Sequence, residues 1–418
     1  MDQAVIRRRR NGGFNPSRLF AASEQGQLSE VNPAYLFQDT AGTTPVTTPG
    51  QAAAQWMDRS GRGNHDTQAT VGSRPIYGKH PANGYRNMLA SSEDFSAAVW
   101  QKTPGSITAT AVTAPDGTAS AATFTATTDT AYLFENVNVG PIPQTPSVYV
   151  RRRSGTGNIA LRVGSTDTPI TGITGEWTRI AAPQAAPGGN GFVLSLGANS
   201  SIDVWHPQLE LGSTATPYQR TGASSGVAWP APPSYDITEA GQADLHYLHY
   251  NGVSSFMVSP TITPNIDKAQ VFIGVRKLSD AATGMIVESS TTASAGGVSL
   301  YVPSSLGGYQ FISTGSVGVS PSASGYPAPI INVVSALGDI SGDNATLRIN
   351  GTQVAQSTAD QGTGNYLAYP LYTGRRGGTS LPFNGLVYCK IVRFGANLTA
   401  DQIAATERWT AQRTGVAI

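Results

Sequence analysis

The 418-residue sequence has little charge, almost no cysteine and no long apolar run. Only 13% of its residues are Asp, Glu, Lys or Arg, and the formal net charge is +1. That is about half the charged fraction of an ordinary soluble chain. The surface must therefore be carried by Thr, Ser, Asn, Gln and Gly, and no nucleic-acid footprint is expected. The single cysteine, Cys389, excludes an intrachain disulfide framework and leaves packing or oligomerisation as the source of stability. It lies in the apolar run GLVYCKIVRF, where a buried, unreactive thiol is expected. No stretch approaches the roughly 18 apolar residues of a membrane span, so membrane insertion is not expected. The opening MDQAVIRRRR has no apolar run behind its arginines and does not read as a secretory leader.

Catalytic signatures are missing as well. There is no nucleophile elbow, no H-E-x-x-H, no P-loop and no dinucleotide glycine fingerprint. Glycoside hydrolysis needs two suitably spaced carboxylates, and with 26 acidic residues some such pair arises by chance. No catalytic residues are assigned and an enzyme is not expected.

What the chain does have is 47 glycines and 27 prolines among runs of Thr, Ser and Val. This composition favours short strands and tight turns over long helices, so the fold class expected is all-β. The length implies two or three domains. Residues 1–55 are polar and broken by Thr-Pro and Pro-Gly, and they cannot bury a core of their own. They read either as a flexible tail or as an anchoring segment that orders on a partner, with Arg7, Arg8, Arg9, Arg10, Arg18 and Phe20 as the docking candidates. Residues 85–222 carry about eight short alternating runs separated by PDG, SGTG, PGG and GANSS, the pattern of a two-sheet antiparallel sandwich. Residues 223–418 repeat the pattern with different strands. ATLRINGTQVAQ reads as a hairpin through Asn350-Gly351. One helix closes the chain, with a capping box at Thr399 and Gln402, a staple of Leu398 with Ile403, and a stop near Gly415.

On YLHYNGVSSFMV, VFIGVRK, ATLRINGTQV and LYTGRRGGTSLPFNGLVYCKIVRFGANLTADQI, residues from about 223 to the end resemble the concanavalin A-like (laminin-G-like) lectin jelly roll. In that family a stretch similar to DRSGRGNHDTQATVGSRPIY stands directly before the first strand pair. Here it stands at 58–77, far upstream. The resemblance therefore implies a discontinuous jelly roll of residues 56–84 plus 223–418, interrupted by an inserted sandwich at 85–222, with the anchor at 1–55. The insert resembles carbohydrate-binding-module-like sandwiches of bacteriophage virion proteins on NMLASSEDFSAAVWQK, APDGTASA, GEWTRIA and VWHPQLELGSTATPYQRTG. Together with LFQDTAGTTPVTTPGQAAAQWMDRSGRGNH, these resemblances imply a tailed-phage fibre, spike or capsid-decoration protein. Such a protein is made in the bacterial cytoplasm and sits in the virion. The implied partners are other virion proteins (tail adaptor, portal region or capsid), further copies of the chain (a trimer in the fibre case) and host-surface polysaccharide.

Sugar recognition needs flat aromatic faces beside amide or carboxylate groups. The candidates are Trp100 and Tyr132 in the insert and the loop tyrosines Tyr326, Tyr366, Tyr369 and Tyr372, whereas Trp177 and Trp205 lie inside strand motifs and are expected in the core. Asp58, His65 and Asp66 could be metal ligands, but their turn chemistry favours bonds to the local backbone. Asp339, Asp343 and Asn344 in GDISGDNAT are the calcium candidates, and no other cofactor is expected. His246 and His249 alternate in LHYLHY onto opposite strand faces, against a shared metal.

Overall fold

The computed structural model describes residues 14–103, 106–127, 130–164, 167–185, 191–222, 224–290 and 294–418. The fold is all-β. Antiparallel sheets make up nearly all of the regular structure, and one α-helix, Ala400–Thr414, lies at the C-terminal end. The chain divides into two compact units, the first made of Met1–Val46, Ala52–Pro75 and Tyr247–Ile418, the second of Thr47–Gln51 and Ile76–His246.

The first unit contains two sheets. One runs through strands Thr352–Ser357, Asn344–Ile349, Ile330–Asp339, Lys268–Lys277 and Asn384–Phe394. The free side of Asn384–Phe394 is shared: Leu248–Asn251 pair with Asn384–Val387, and Gln25–Glu30 pair with Cys389–Phe394. The N-terminal strand thus covers backbone donors and acceptors that would otherwise form an open edge. Gly26 makes this close pairing feasible. Its φ is +135°, and a Cβ there would stand 2.1 Å from the Val392 carbonyl oxygen.

The second sheet begins with the early fragments Leu36–Phe37, Gln55–Trp56 and Asp66–Thr67. It continues through Met257–Ile262, Tyr369–Thr373, Gly284–Glu288, Val298–Val302 and Tyr309–Thr314. Thr67 faces Val258 in register, joining the stretch around residue 60 to the late region.

Local signals form as their chemistry dictates. Ile349 faces Thr352 across a two-residue turn with positive φ at Asn350 and Gly351. At the helix start the Gln402 N–H donates to Thr399 Oγ1 at 3.2 Å, and the Thr399 N–H donates to Gln402 Oε1 at 2.9 Å. Leu398 and Ile403 both pack onto the cluster of Leu19, Phe20, Phe272, Ile391 and Trp409, and the helix ends at Gly415 with φ 71°. Cys389 lies in the same cluster, and burial pushes its thiol up to about 12, an unreactive state.

Two expectations need correction. From residue 14 onward the N-terminal segment is no separate appendage. Lacking a core of its own, it lends Leu19, Phe20 and Leu28 to the core of the first unit. The unit boundaries also differ from 84/85 and 222/223: the long excursion into the second unit runs from Pro75/Ile76 to His246/Tyr247, and the short stretch Thr47–Gln51 belongs to that unit as well. Strand Ile76–Pro81 belongs with its neighbours in the second unit, where the Lys79 N–H donates to Tyr235 O at 2.8 Å and the Ala82 N–H to Ala243 O at 2.8 Å.

The second unit stacks two five-stranded sheets. One runs Thr178–Ala181, Gln144–Ser154, Ser200–Leu211, Ala121–Ala126 and Ser106–Val112, and the other Thr168–Ile170, Ile159–Val163, Phe192–Leu196, Ala131–Glu135 and Gln101–Thr103. Phe124, Leu133, Val148, Leu161, Phe192, Leu194, Ile202 and Leu209 fill the space between them. Alternation along each strand puts these side chains inward, as a sandwich requires.

Candidate functional site: a cleft in the second unit

The clearest concave site in the second unit lies at the end of strand Ala131–Glu135. Three pieces of chain build it. The strand delivers Glu135 at its last position, followed by Asn136, Val137 and Asn138. The segment Met88–Ala90 forms one wall and is pinned by the buried Asn87, whose Oδ1 accepts from the N–H of Leu89 and of Leu209, both at 3.2 Å. The loop Ser224–Pro233 brings Trp229 into the lining of the cleft. That loop is closed on itself, with Ser225 N–H donating to Pro233 O at 2.8 Å and Ser225 Oγ to Pro232 O at 2.7 Å. The Tyr85 hydroxyl donates to Pro230 O at 2.7 Å, and its ring meets that of Trp229 edge-on at 5.8 Å. The cleft measures about 410 Å³, within the roughly 300–1,000 Å³ of small-ligand sites.

Glu135 is the unusual residue. Its side chain is only 3% exposed. Oε1 accepts from the Ala90 N–H at 2.6 Å, and Oε2 has no hydrogen-bond partner. Burial pushes the carboxyl up to about 7; the Ala90 and Ser91 N–H groups oppose this, the second without closing a bond on Oε2. No charged group contributes to that shift. Among the described residues lining the cleft, Glu135 is the one titratable side chain. Around it stand the half-buried Trp229, the exposed amides of Gln101, Asn136 and Asn138, and the apolar Met88, Val99 and Val137. An aromatic face, amides and a carboxyl in one hollow is the combination that sugar recognition uses. A larger hollow of about 610 Å³ runs along Thr156–Ala160 and Ser195–Ala198, but no aromatic residue lines it.

The residues singled out from sequence are dispersed. Trp100 is 4% exposed, packs on Phe95 and Phe192, and donates from Nε1 to Ser91 O at 2.7 Å. Tyr366 is fully buried, its hydroxyl 2.7 Å from Ser313 Oγ. Neither offers a face to a ligand, which corrects the expectation for both: each sits beside a strand that needs a large inward filler. Tyr132 is half-buried with the Arg162 guanidinium over its ring at 5.0 Å. Tyr326, Tyr369 and Tyr372 are half-buried in the first unit, Tyr369 donating to Ala295 O at 3.0 Å. Trp205 is buried in a satellite cluster, and Trp177 is half-buried under Arg151 at 4.8 Å.

Arg18 is exposed, whereas Phe20 is buried in the core and is not available for docking. Arg7, Arg8, Arg9 and Arg10 lie outside the described residues.

The calcium candidates are committed elsewhere. Asp339 accepts from the Gly342 N–H at 2.9 Å and Asn397 Nδ2 at 2.7 Å, with the Lys268 ammonium 3.0 Å away. Burial would raise its carboxyl, but these bonds outweigh it and hold it below the usual carboxylate range. Asp343 accepts from the Gln361 N–H and Asn344 from Gln356, both at 2.9 Å. Among the described residues, no three His, Cys, Asp or Glu side chains cluster as a metal would require.

Asp58 is a turn organiser. It accepts from the N–H of Leu28, Ser60 and Asn64, and its own N–H donates to His65 Nδ1 at 2.9 Å. Asp66 has a different role, forming a fully buried ion pair with Lys390. The remaining histidines are local. His206 is stacked between Trp205 and Tyr218, His246 bonds Tyr77, and desolvation lowers the buried His249 to about 4.

No protein-family model matches the chain, and neither does any curated protein. Among solved structures, the botulinum neurotoxin serotype D binding domain is similar at TM-score 0.33 and 14% identity, over 40% of this chain and 43% of that one. The Ruminococcus gnavus IT-sialidase CBM40 is similar at TM-score 0.28 and 18% identity, over 34% of this chain and 84% of that one. The chain thus spans less than half the length of the botulinum domain. At these TM-scores neither likeness carries an argument about what this chain binds. No helix of the described residues is long and apolar enough to cross a membrane.

Proposed function

We propose that the chain is a bacteriophage virion structural protein of the tail-fibre or spike kind, and that it contacts host-surface glycans through its β-sandwich modules. The observation that carries the glycan part is the cleft lined by both Trp229 and Glu135, an aromatic ring and a buried carboxyl whose Oε2 has no hydrogen-bond partner. The virion setting is supported by the sequence motifs that resemble tailed-phage modules. Attachment to the particle, through a tail adaptor, portal region or capsid, falls to the arginine-rich opening at residues 7–10, because Phe20 and the strand from Gln25 are occupied within the first unit. Several copies in one virion, three in a fibre, would strengthen shallow sugar contacts through avidity. Synthesis would be in the bacterial cytoplasm.

A binding role is favoured over a depolymerase because Glu135 is the single carboxylate among the described residues of the cleft, and glycoside hydrolysis ordinarily uses two. A second reading, an architectural decoration protein without sugar specificity, is favoured by the burial of Trp100 and Tyr366, and fold alone does not decide between them.

The test is a host-polysaccharide array probed with the full chain and with Trp229→Ala. Retention of the native chain and loss by about tenfold or more in the variant supports the binding reading. No retention of either favours the architectural one.

A further inference from the structure

We infer that the cleft under Trp229 reads a sugar carrying an unsubstituted amino group, whose ammonium pairs with the Glu135 carboxylate. This deepens the glycan reading and rests on it.

Buried carboxylates are stable when paired with a cation or when hydrogen bonds satisfy their oxygens. Glu135 has a bond on Oε1 from Ala90 and none on Oε2, an oxygen covered by its surroundings that a ligand meets only once the carboxyl turns toward the hollow, and no other charged residue lines the cleft among the described residues. For the ionised form the missing partner is a donor, and the one that best restores that form in a low-dielectric hollow is a cation, whereas the protonated form would donate to an acceptor such as an N-acetyl carbonyl.

The rest of the cleft narrows the class. Among its described lining residues there is no Lys, Arg or His. A sialic or uronic acid would therefore place its carboxylate against Glu135 with nothing to offset the repulsion. A neutral hydroxyl would satisfy Oε2 but would leave the buried charge uncompensated. An amino sugar supplies both a donor and a charge. The indole of Trp229 suits the same ligand, since an aromatic face attracts the C–H side of a pyranose and a nearby ammonium. The amides of Gln101 and Asn136 at the rim can take ring hydroxyls. Because the free carboxyl is partly protonated near neutrality, pairing with an ammonium expels its proton to the solvent while the amine keeps its own.

The experiment is calorimetric titration of the full chain with three probes: a glucosamine oligomer, the same oligomer N-acetylated, and sialyllactose. The inference expects the free-amine oligomer to bind about tenfold or more tightly than the acetylated one. It also expects net proton release at pH 6, where the carboxyl is largely protonated and the amine largely charged, seen as a heat that varies with the buffer. Sialyllactose should show no binding. Glu135→Gln keeps the Oε1 acceptor for Ala90 and should abolish both the preference and the proton release, while Trp229→Ala should weaken both oligomers alike. Equal or tighter binding of the acetylated oligomer overturns the inference and leaves the glycan reading standing. If none of the probes binds and the array is also blank, both fall.

Discussion

Two buried carboxylates, Asp66 in the first unit and Glu135 in the second, are treated in opposite ways. In the first unit Asp66 and Lys390 are both fully buried and face each other. Gln27 Nε2 donates to Asp66 at 2.8 Å, and the Lys390 ammonium lies 5.3 Å from the centre of the Trp56 ring. Burial pushes the Lys390 ammonium down, and the Asp66 carboxylate opposes that shift. In the second unit Asp203 is equally buried but held by Arg151 and Arg153. Glu135 has no such partner. Among the described residues, the other buried carboxylate oxygen without a hydrogen bond, Asp236 Oδ1, has the Lys79 ammonium 3.5 Å away. The difference separates charges that hold the fold together from one that the fold alone does not explain, and a buried carboxyl without a countercharge calls for an explanation beyond packing.

Breaking the paired side should have the largest effect. Lys390→Met leaves Asp66 buried without a countercharge, and the first unit should lose about 3–5 kcal/mol in chemical denaturation. The double variant Asp66→Asn with Lys390→Met should recover much of that loss.

The unpaired side should respond with the opposite sign. Glu135 titrates at about 7 when folded, against 4.5 for an ordinary glutamate. The folded state therefore holds the proton more tightly. Its contribution is favourable below about 4.5, declines as pH rises, and costs about 3 kcal/mol above 7. Glu135→Gln should accordingly be more stable than the native chain at pH 8 and equal to it near pH 4, as measured by unfolding at both pH values. A stability gap independent of pH would contradict the unpaired state.

Two smaller effects sharpen the scale. Glu407 is buried and held by the partly exposed Arg348 at 2.8 Å, so Arg348→Ala should cost about 1–3 kcal/mol. Asp167, 47% exposed, meets Arg162 at 3.2 Å, and Asp167→Ala should shift stability by less than about 0.5 kcal/mol. Both are read from the midpoint of denaturation.

How much of this is legible in the sequence depends on the range of the interaction. The Asn350-Gly351 turn and the Thr399–Gln402 cap are local chemistry, and both stand as the sequence predicts. The alternating runs of the second unit map onto its strands for the same reason. Lys390, in contrast, sits in GLVYCKIVRF and reads as an interruption of an apolar strand, because its partner is 324 residues away. QGQLSE has no alternation to announce a strand. Its pairing is dictated by the open side of Asn384–Phe394, which no local pattern shows. Glu135 ends the run AYLFE as an ordinary polar strand terminus, and the cleft wall opposite it comes from a loop some ninety residues later. Trp229 does not stand out, because WPAPPSY has the composition of a proline-rich linker. The signal available was a tryptophan in such a linker, which is costly to leave in water without use.

The most direct measurement is the carbon-13 titration of the Glu135 carboxyl by NMR, without ligand and with a glucosamine oligomer. The account expects a midpoint near 7 in the free protein and a marked fall when the amino sugar is added. A midpoint near 4.5 in the free protein, or one that the oligomer leaves unmoved, would contradict it.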